Sequence, residues 1–271
     1  CMESAVDPAD NGYLRGAYFK DLQERRRQHE SPGGDARLVN GQQRPQRLRS
    51  EFERFKYGIA QRLRIGKQGE GVDDWVNGHP LVFPAMVRLG TGFRNELQIR
   101  VPIDDTHTWN LHYQCFRPGE GVDVPRQESV PLYQIPLKDE QGEFIFSVAG
   151  IRDMVLWTSQ GEILDRTREH LVDSDQGVLL YRRLLQQQVS IVEDGGEPMN
   201  VFRNGADMGS RVDLEPDQPS SQPTTGAFNP EDLEDDVERY SPAIDEVAEL
   251  YRRMIAFQAD ATESEPSRGS I

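Results

Sequence analysis

The chain has 271 residues and a formal net charge of −15, with 31 Lys and Arg against 46 Asp and Glu. An acidic chain repels phosphate backbones, which excludes nucleic acid as a partner class. Two cysteines, Cys1 and Cys115, make neither a disulfide framework nor a metal cluster, and no apolar run approaches the ~20 residues of a membrane span; a reducing cytoplasm and no membrane contact are expected.

The acidity is local. After Asn204 sixteen acids face five bases, so about eleven of the fifteen negative charges lie in the last quarter of the chain. The first 204 residues are close to neutral. The opening at Cys1, with neither initiator methionine nor leader, reads as a segment of a longer or processed protein. The length fits one large domain with appendages.

Residues 1–30 read as a loop running into a helix, with Leu14, Tyr18 and Leu22 on one stripe and Arg25, Arg26 and Arg27 as a solvated helix end. Residues 31–48 carry no periodicity and read as a loop. Alternation then predicts strands over 52–65, 81–89, 97–103 and 108–116, with a last one over 144–148 after a long connection at 118–131.

Asp153 follows, an acid on an apolar background, then Trp157, a turn at Gln160–Gly161 and a charged knot from Asp165 to His170. Ser174 and Asp175 offer caps for a long helix whose apolar residues Val178, Tyr181, Leu185, Val189 and Val192 recur at steps of three and four. Residues 205–240 form an acidic linker expected to be disordered. Ser241 and Pro242 open an amphipathic helix ending near residue 260, with Ile244, Val247, Tyr251, Met254 and Ile255 on one side, and 261–271 make a tail. Consecutive strands followed by a long helix predict an α+β architecture, an antiparallel sheet with the long helix packed on it.

The histidines carry little. His107 and His112 are five apart, a separation that points side chains to opposite faces of a strand. They read as core or edge residues, and His170 as part of the charged knot. An acid such as Asp153 is costly to bury unless paired or metal-bound, so it leads the candidate list.

Several separated segments carry a resemblance. RDMVLWTSQGEILDRTREHLVDSDQGVLLYRRLL, VPIDDTHTWNLHY, HPLVFP and CMESAVDPADNGYLRGAYF are similar, in order across residues 1–204, to the catalytic domain of Rieske non-haem iron aromatic ring-hydroxylating oxygenase alpha subunits of the phthalate dioxygenase-like branch. The resemblance implies a helix-grip fold with mononuclear iron held by two His and one carboxylate. It implies an upstream Rieske domain with a 2Fe–2S cluster, which would end where this chain begins. It also implies other alpha-type subunits as partners, in a trimer or hetero-oligomer, with a reductase or ferredoxin as electron donor.

Transferred residue by residue, the resemblance gives Asp7 the place of the acid that bridges the two metal centres. Asp153 takes the carboxylate-ligand position. The His-x4-His pair falls on Asp10 and Arg15, and neither is histidine. A guanidinium has no lone pair for a metal. Arg15 is therefore expected to form a charge-assisted bridge to Asp153, Asp10 or both in place of iron. The resemblance further implies that Asp165, Arg166 and Glu169 are structural.

Three readings follow. The first is an oxygenase subunit with a degenerate iron site, non-catalytic or an electron relay, in which iron is not bound. The second is an active O2-dependent hydroxylase of an aromatic substrate with atypical ligation. The third is a helix-grip module that binds an apolar ligand without reacting.

Overall fold

The computed structural model describes residues 1–7, 46–67, 70–77, 79–89, 93–146, 149–204, 212, 214 and 237–264. Seven strands form one sheet: β1 (Gln46–Phe55), β2 (Gly58–Lys67), β3 (Glu70–Asn77), β4 (Leu81–Val82), β5 (Met86–Leu89), β6 (Arg94–Pro102) and β7 (Thr108–Phe116). The order is β1-β2-β4-β5-β6-β7, with β3 also paired to β2. Pairings β1–β2, β2–β3, β2–β4 and β4–β5 are antiparallel. The helices are α1 (Ala149–Ser159), α2 (Gln176–Glu193) and α3 (Ile244–Ser264), with short 3-10 turns between. The architecture is α+β.

The chain divides into two compact units. Cys1–Leu89, Leu97–His112 and Gly161–Gln218 make the first, and Gly90–Glu96, Tyr113–Gln160 and Pro219–Ile271 the second. In the first, α2 lays Val178, Tyr181 and Leu184 against Ile59, Leu81 and Phe83, with Val6 sealed among them. Burying side chains of this size is the main favourable term of the unit. Ile59 and Leu81 are direct cross-strand partners, and Gly58 beside them is obligatory because a Cβ there would sit 2.0 Å from the Leu81 carbonyl oxygen. Tyr181 donates its hydroxyl to the Pro84 carbonyl oxygen at 3.1 Å.

The second unit has two apolar clusters. Leu250, Tyr251 and Met254 of α3 pack on Phe93, with Phe116 and Val247 at the margin. Ile151 and Val155 of α1 pack on Ile135, Leu137, Phe144, Ile145 and Tyr240. The expected C-terminal helix thus docks within its own unit. Ser241 caps its entry by accepting the Ala243 N–H at 3.1 Å.

Several expectations need correction. The strand expected over 52–65 is a hairpin, β1 and β2, turning at Lys56–Tyr57, and β1 begins inside the expected loop. β3 was not anticipated, since EGVDDWVN alternates only weakly. The strand expected over 81–89 is broken into β4 and β5 by the turn at Phe83–Pro84–Ala85, because proline has no N–H for the ladder. Of the strand expected over 144–148, the described residues 144–146 carry a single bridge, Lys138 to Phe144, and 147 and 148 lie outside the described residues. The apolar stripe of α2 is rotated: Leu184 and Gln188 are buried, while Leu185, Val189 and Val192 are exposed. The helix expected within residues 1–30, with its stripe at Leu14, Tyr18 and Leu22, lies outside the described residues.

One strand inverts its own pattern. β6 buries Glu96, Gln98 and Arg100 and leaves Leu97, Ile99 and Val101 on the more open face. Such breaks with hydrophobic-inside patterning concentrate at special sites.

Candidate functional site

The second unit holds Asp153. Two residues along a helix correspond to about 200° of rotation, so Asp153 stands on the side of α1 opposite Ile151 and Val155. All three are buried, Asp153 at 8 % exposure. The helix is thus covered on two sides, and a carboxylate occupies one of them. Its ends are tied locally. Arg152 Nε donates to the Phe146 carbonyl oxygen at 2.6 Å, and the Thr158 hydroxyl donates to the carbonyls of Met154 and Val155 at 3.0 Å. Gly161, at φ 90°, then turns the chain away, a conformation that favours glycine.

The first unit holds Asp7. A 3-10 turn, Glu3–Val6, carries the chain to it, and Asp7 leaves in extended conformation with its N–H donated to the Ser4 carbonyl oxygen at 3.4 Å. A single turn has little stability of its own. This one is fixed at three places. Arg100, buried on β6, donates Nη1 to the Cys1 carbonyl oxygen at 2.7 Å and Nη2 to Gln98 at 3.0 Å. Val6 is 1 % exposed, and its carbonyl lies against Gly177, where a Cβ would come within 2.3 Å of the oxygen.

The third attachment is electrostatic. Arg182 on α2 grips Glu3 with Nε at 2.8 Å and Nη2 at 2.9 Å, and grips Glu169 at 2.8 and 2.7 Å. Arg166 reaches both acids as well, Glu3 at 3.0 Å and Glu169 at 3.3 Å. Burial works against the Glu3 charge, but the Arg182 and Arg166 hydrogen bonds outweigh it and hold the carboxyl below its ordinary value. The Arg182 hydrogen bond likewise lowers Glu169, and the two carboxylates together raise Arg182.

Asp165, Arg166 and Glu169 thus have structural contacts: Asp165 accepts from the Thr167 N–H at 3.1 Å and its hydroxyl at 2.6 Å. His170 is exposed and takes no part in this knot. His107 sits in the β6–β7 turn, where Asp104 accepts from its ring nitrogen at 2.9 Å. His112, inside β7, bonds Asn110 at 2.9 Å. Asp10 and Arg15 lie outside the described residues. Among the described residues no three His, Cys, Asp or Glu side chains converge as a metal-holding group, and no helix is long and apolar enough to cross a membrane. Sequence reasoning missed Glu3, Arg100, Gly177 and Arg182, because their partners are remote along the chain and no local spacing marks them.

No family model matches the chain. Curated proteins do. It is 31% identical over 205 residues to the 5,5'-dehydrodivanillate O-demethylase oxygenase subunit of Sphingobium sp. (strain NBRC 103272 / SYK-6), covering 76% of this chain and 44% of that one. It is 43% identical over 169 residues to the phenoxybenzoate dioxygenase subunit alpha of Ectopseudomonas oleovorans, covering 60% and 39%. It is 25% identical over 225 residues to the phthalate 4,5-dioxygenase oxygenase subunit of Pseudomonas putida, covering 72% and 48%. The chain spans less than half the length of each of these relatives.

Proposed function

This chain belongs to the Rieske-type aromatic oxygenase family, and from that premise we propose that it is the catalytic-type region of an alpha subunit whose mononuclear iron site has been replaced. In this reading it is a non-catalytic or electron-relay member of an oxygenase complex. Residues 1–204 form the helix-grip region and 205–240 lead to the C-terminal helix, although Val237–Tyr240 of that stretch is a 3-10 turn whose Tyr240 packs on Ile151 and Val155. A 2Fe–2S cluster belongs to a domain upstream. Its partners are alpha-type subunits and a reductase or ferredoxin, and its ligand is an aromatic acid of the kind for which the relatives are named.

The observation that carries the reading is the donor set. Asp153 offers a carboxylate from a buried helix face. The two positions matched to imidazoles hold Asp10 and Arg15. One oxygen donor and one permanent cation do not make the two-histidine, one-carboxylate set that Fe(II) takes. A guanidinium carries a fixed positive charge and no lone pair, so at a ligand position it can stand in for a metal's charge but not for an imidazole donor. The residues do not fit the metal, and no chemistry is assigned through it.

Iron content of the full-length protein tests this. About two irons per chain are expected, all in the cluster, and Asp10→His with Arg15→His is expected to add about one more. A further iron already present in the natural protein, and lost in Asp153→Ala, refutes the reading. That outcome favours a second one, an active O2-dependent hydroxylase that binds iron through Asp10, Asp153 and a further group. The burial of Asp153 and the oxygenase names of the relatives speak for it.

A further inference from the structure

We infer that β7 pairs edge to edge with β7 of a second copy of this chain, antiparallel and about a two-fold axis at Asn110. The inference goes beyond the reading above and does not depend on it.

The sheet order ends on β1 at one side and on β7 at the other. An end strand offers its outer row of main-chain N–H and C=O groups to any chain that can pair, and proteins guard such rows with charge or proline. β1 is guarded, since QRLRSEFERF carries five charged residues in ten. β7 is not. TWNLHYQCF holds no Asp, Glu, Lys, Arg, Pro or Gly, in a chain of which 28% is charged.

Two main-chain bonds fix which groups face outward. The Ile103 N–H donates to the His107 carbonyl oxygen at 2.9 Å, and the Arg117 N–H to that of Phe93 at 2.7 Å. Both belong to one antiparallel register, in which Val101 faces Trp109 and Ile99 faces Leu111. The odd-numbered residues of β7 therefore turn their main-chain groups to β6. Thr108, Asn110 and His112 turn theirs away, along the outer row.

The hairpin is open where a second strand would lie. Trp109 is 56% exposed, Ile103 67% and Val101 43%, all on one face, and Thr108 is exposed beside them. This is the face that the inverted pattern of β6 leaves apolar, and a further strand would cover Trp109 from the side.

The occupant follows from self-complementarity. Antiparallel pairing about Asn110 sets Trp109 opposite the partner's Leu111, and Leu111 opposite the partner's Trp109. Aromatic–aliphatic pairs of this kind are favourable across strands. Thr108 meets the partner's His112, no like charges face each other, and the outer rows exchange about six main-chain hydrogen bonds.

Asn110 itself supplies a separate reason. Its Oδ1 is sealed from solvent with no hydrogen-bond partner among the described residues, while Nδ2 lies 2.9 Å from His112 Nε2. A covered acceptor without a donor is costly. On the axis, the partner's Asn110 stands directly opposite on the same face. Each Nδ2 then has a second hydrogen to give to the other Oδ1.

Sedimentation equilibrium of the full-length protein tests this, with melting midpoints as the control for folding. A two-fold doubles whatever assembly other surfaces form. The parent is therefore expected at twice the mass of Asn110→Pro, which removes an outward N–H and no bond to β6. Trp109→Ser, a change at an exposed side chain, is expected to weaken the same step at least about 30-fold, as loss of a tryptophan anchor does. It carries the test if Asn110→Pro does not fold. Register is read with a short thiol crosslinker, in a background without the exposed thiols of Cys1 and Cys115. Asn110→Cys should link two chains, and Thr108→Cys, whose counterpart lies about 14 Å away, should not. Equal masses of parent and variants, or crosslinking at Thr108→Cys as ready as at Asn110→Cys, overturn the inference. Neither result bears on the iron content that decides the function above.

Discussion

Gly177 offers the sharpest test of the packing described for the first unit. It is the second residue of α2, and a Cβ there would lie 2.3 Å from the Val6 carbonyl oxygen and 2.7 and 2.8 Å from two ring atoms of Phe52. Ordinary contacts between carbon atoms begin near ~3.5 Å, so each overlap is severe. The ring can rotate away. The carbonyl cannot, because Val6 is locked in the core. Alanine in place of a helical glycine ordinarily gains about 1 kcal/mol, whereas forcing a methyl into packed space costs about 1–3 kcal/mol, at the upper end where the obstacle is backbone. The expected net loss is about 2 kcal/mol, a fall of about 4–8 °C in the melting midpoint for a domain of this size. Urea unfolding of Gly177→Ala measures it directly. Adding Phe52→Leu removes the ring clash but not the carbonyl, so the loss should persist in the double variant. A midpoint equal to or above that of the parent refutes the reasoning, since it means that the turn and α2 separate without penalty.

Other expected outcomes follow from the electrostatics. The Glu3 and Glu169 carboxyls are held below their ordinary value of 4.5, so their stabilisation is present above that pH and is lost as pH falls through the lowered values. Acid titration of stability should therefore be steeper below about pH 4.5 in the parent than in Arg182→Met. Burial pushes the Tyr181 hydroxyl up to about 12 from 10, so stability should decline as pH rises past 10, and Tyr181→Phe should abolish that decline. The same change removes the bond to Pro84 and is expected to cost about 1 kcal/mol at neutral pH. Asp104 is held down to about 2, first by the Thr106 N–H and then by the His107 side chain, and it closes the β6–β7 turn. Asp104→Ala should speed amide exchange at Thr106 and His107 at neutral pH, and unchanged exchange counts against the closure.

Elements with strong local signals were legible in the sequence. β7 was expected over the residues it occupies, because TWNLHYQCF alternates and Asp104–Asp105 mark the turn before it. α2 and α3 were announced by Asp175 and Ser241, although Asp175 spends its carboxylate backwards, accepting from the Val172 N–H at 2.8 Å. What failed depended on remote partners. Leu81–Leu89 reads as one apolar run, and only Pro84 marks where pairing must break. The rotation of the α2 stripe is set by what lies beneath it. Gln188 is drawn inward because its side-chain oxygen accepts the Met199 N–H at 2.6 Å, which leaves Leu185 and Val189 turned out. The acid at Asp153 stood out locally, whereas Glu3 and Arg182, 179 residues apart, gave no local sign of meeting.

Each compact unit is stitched from three separate stretches of chain, and the crossovers at Glu96–Leu97 and His112–Tyr113 fall inside β6 and β7. No pair of scissor cuts can release either half without severing a strand of the sheet. Trimmed fragments are therefore poor tools for dividing labour within this molecule. Single-residue replacements in the intact polypeptide are the means by which its parts can be interrogated.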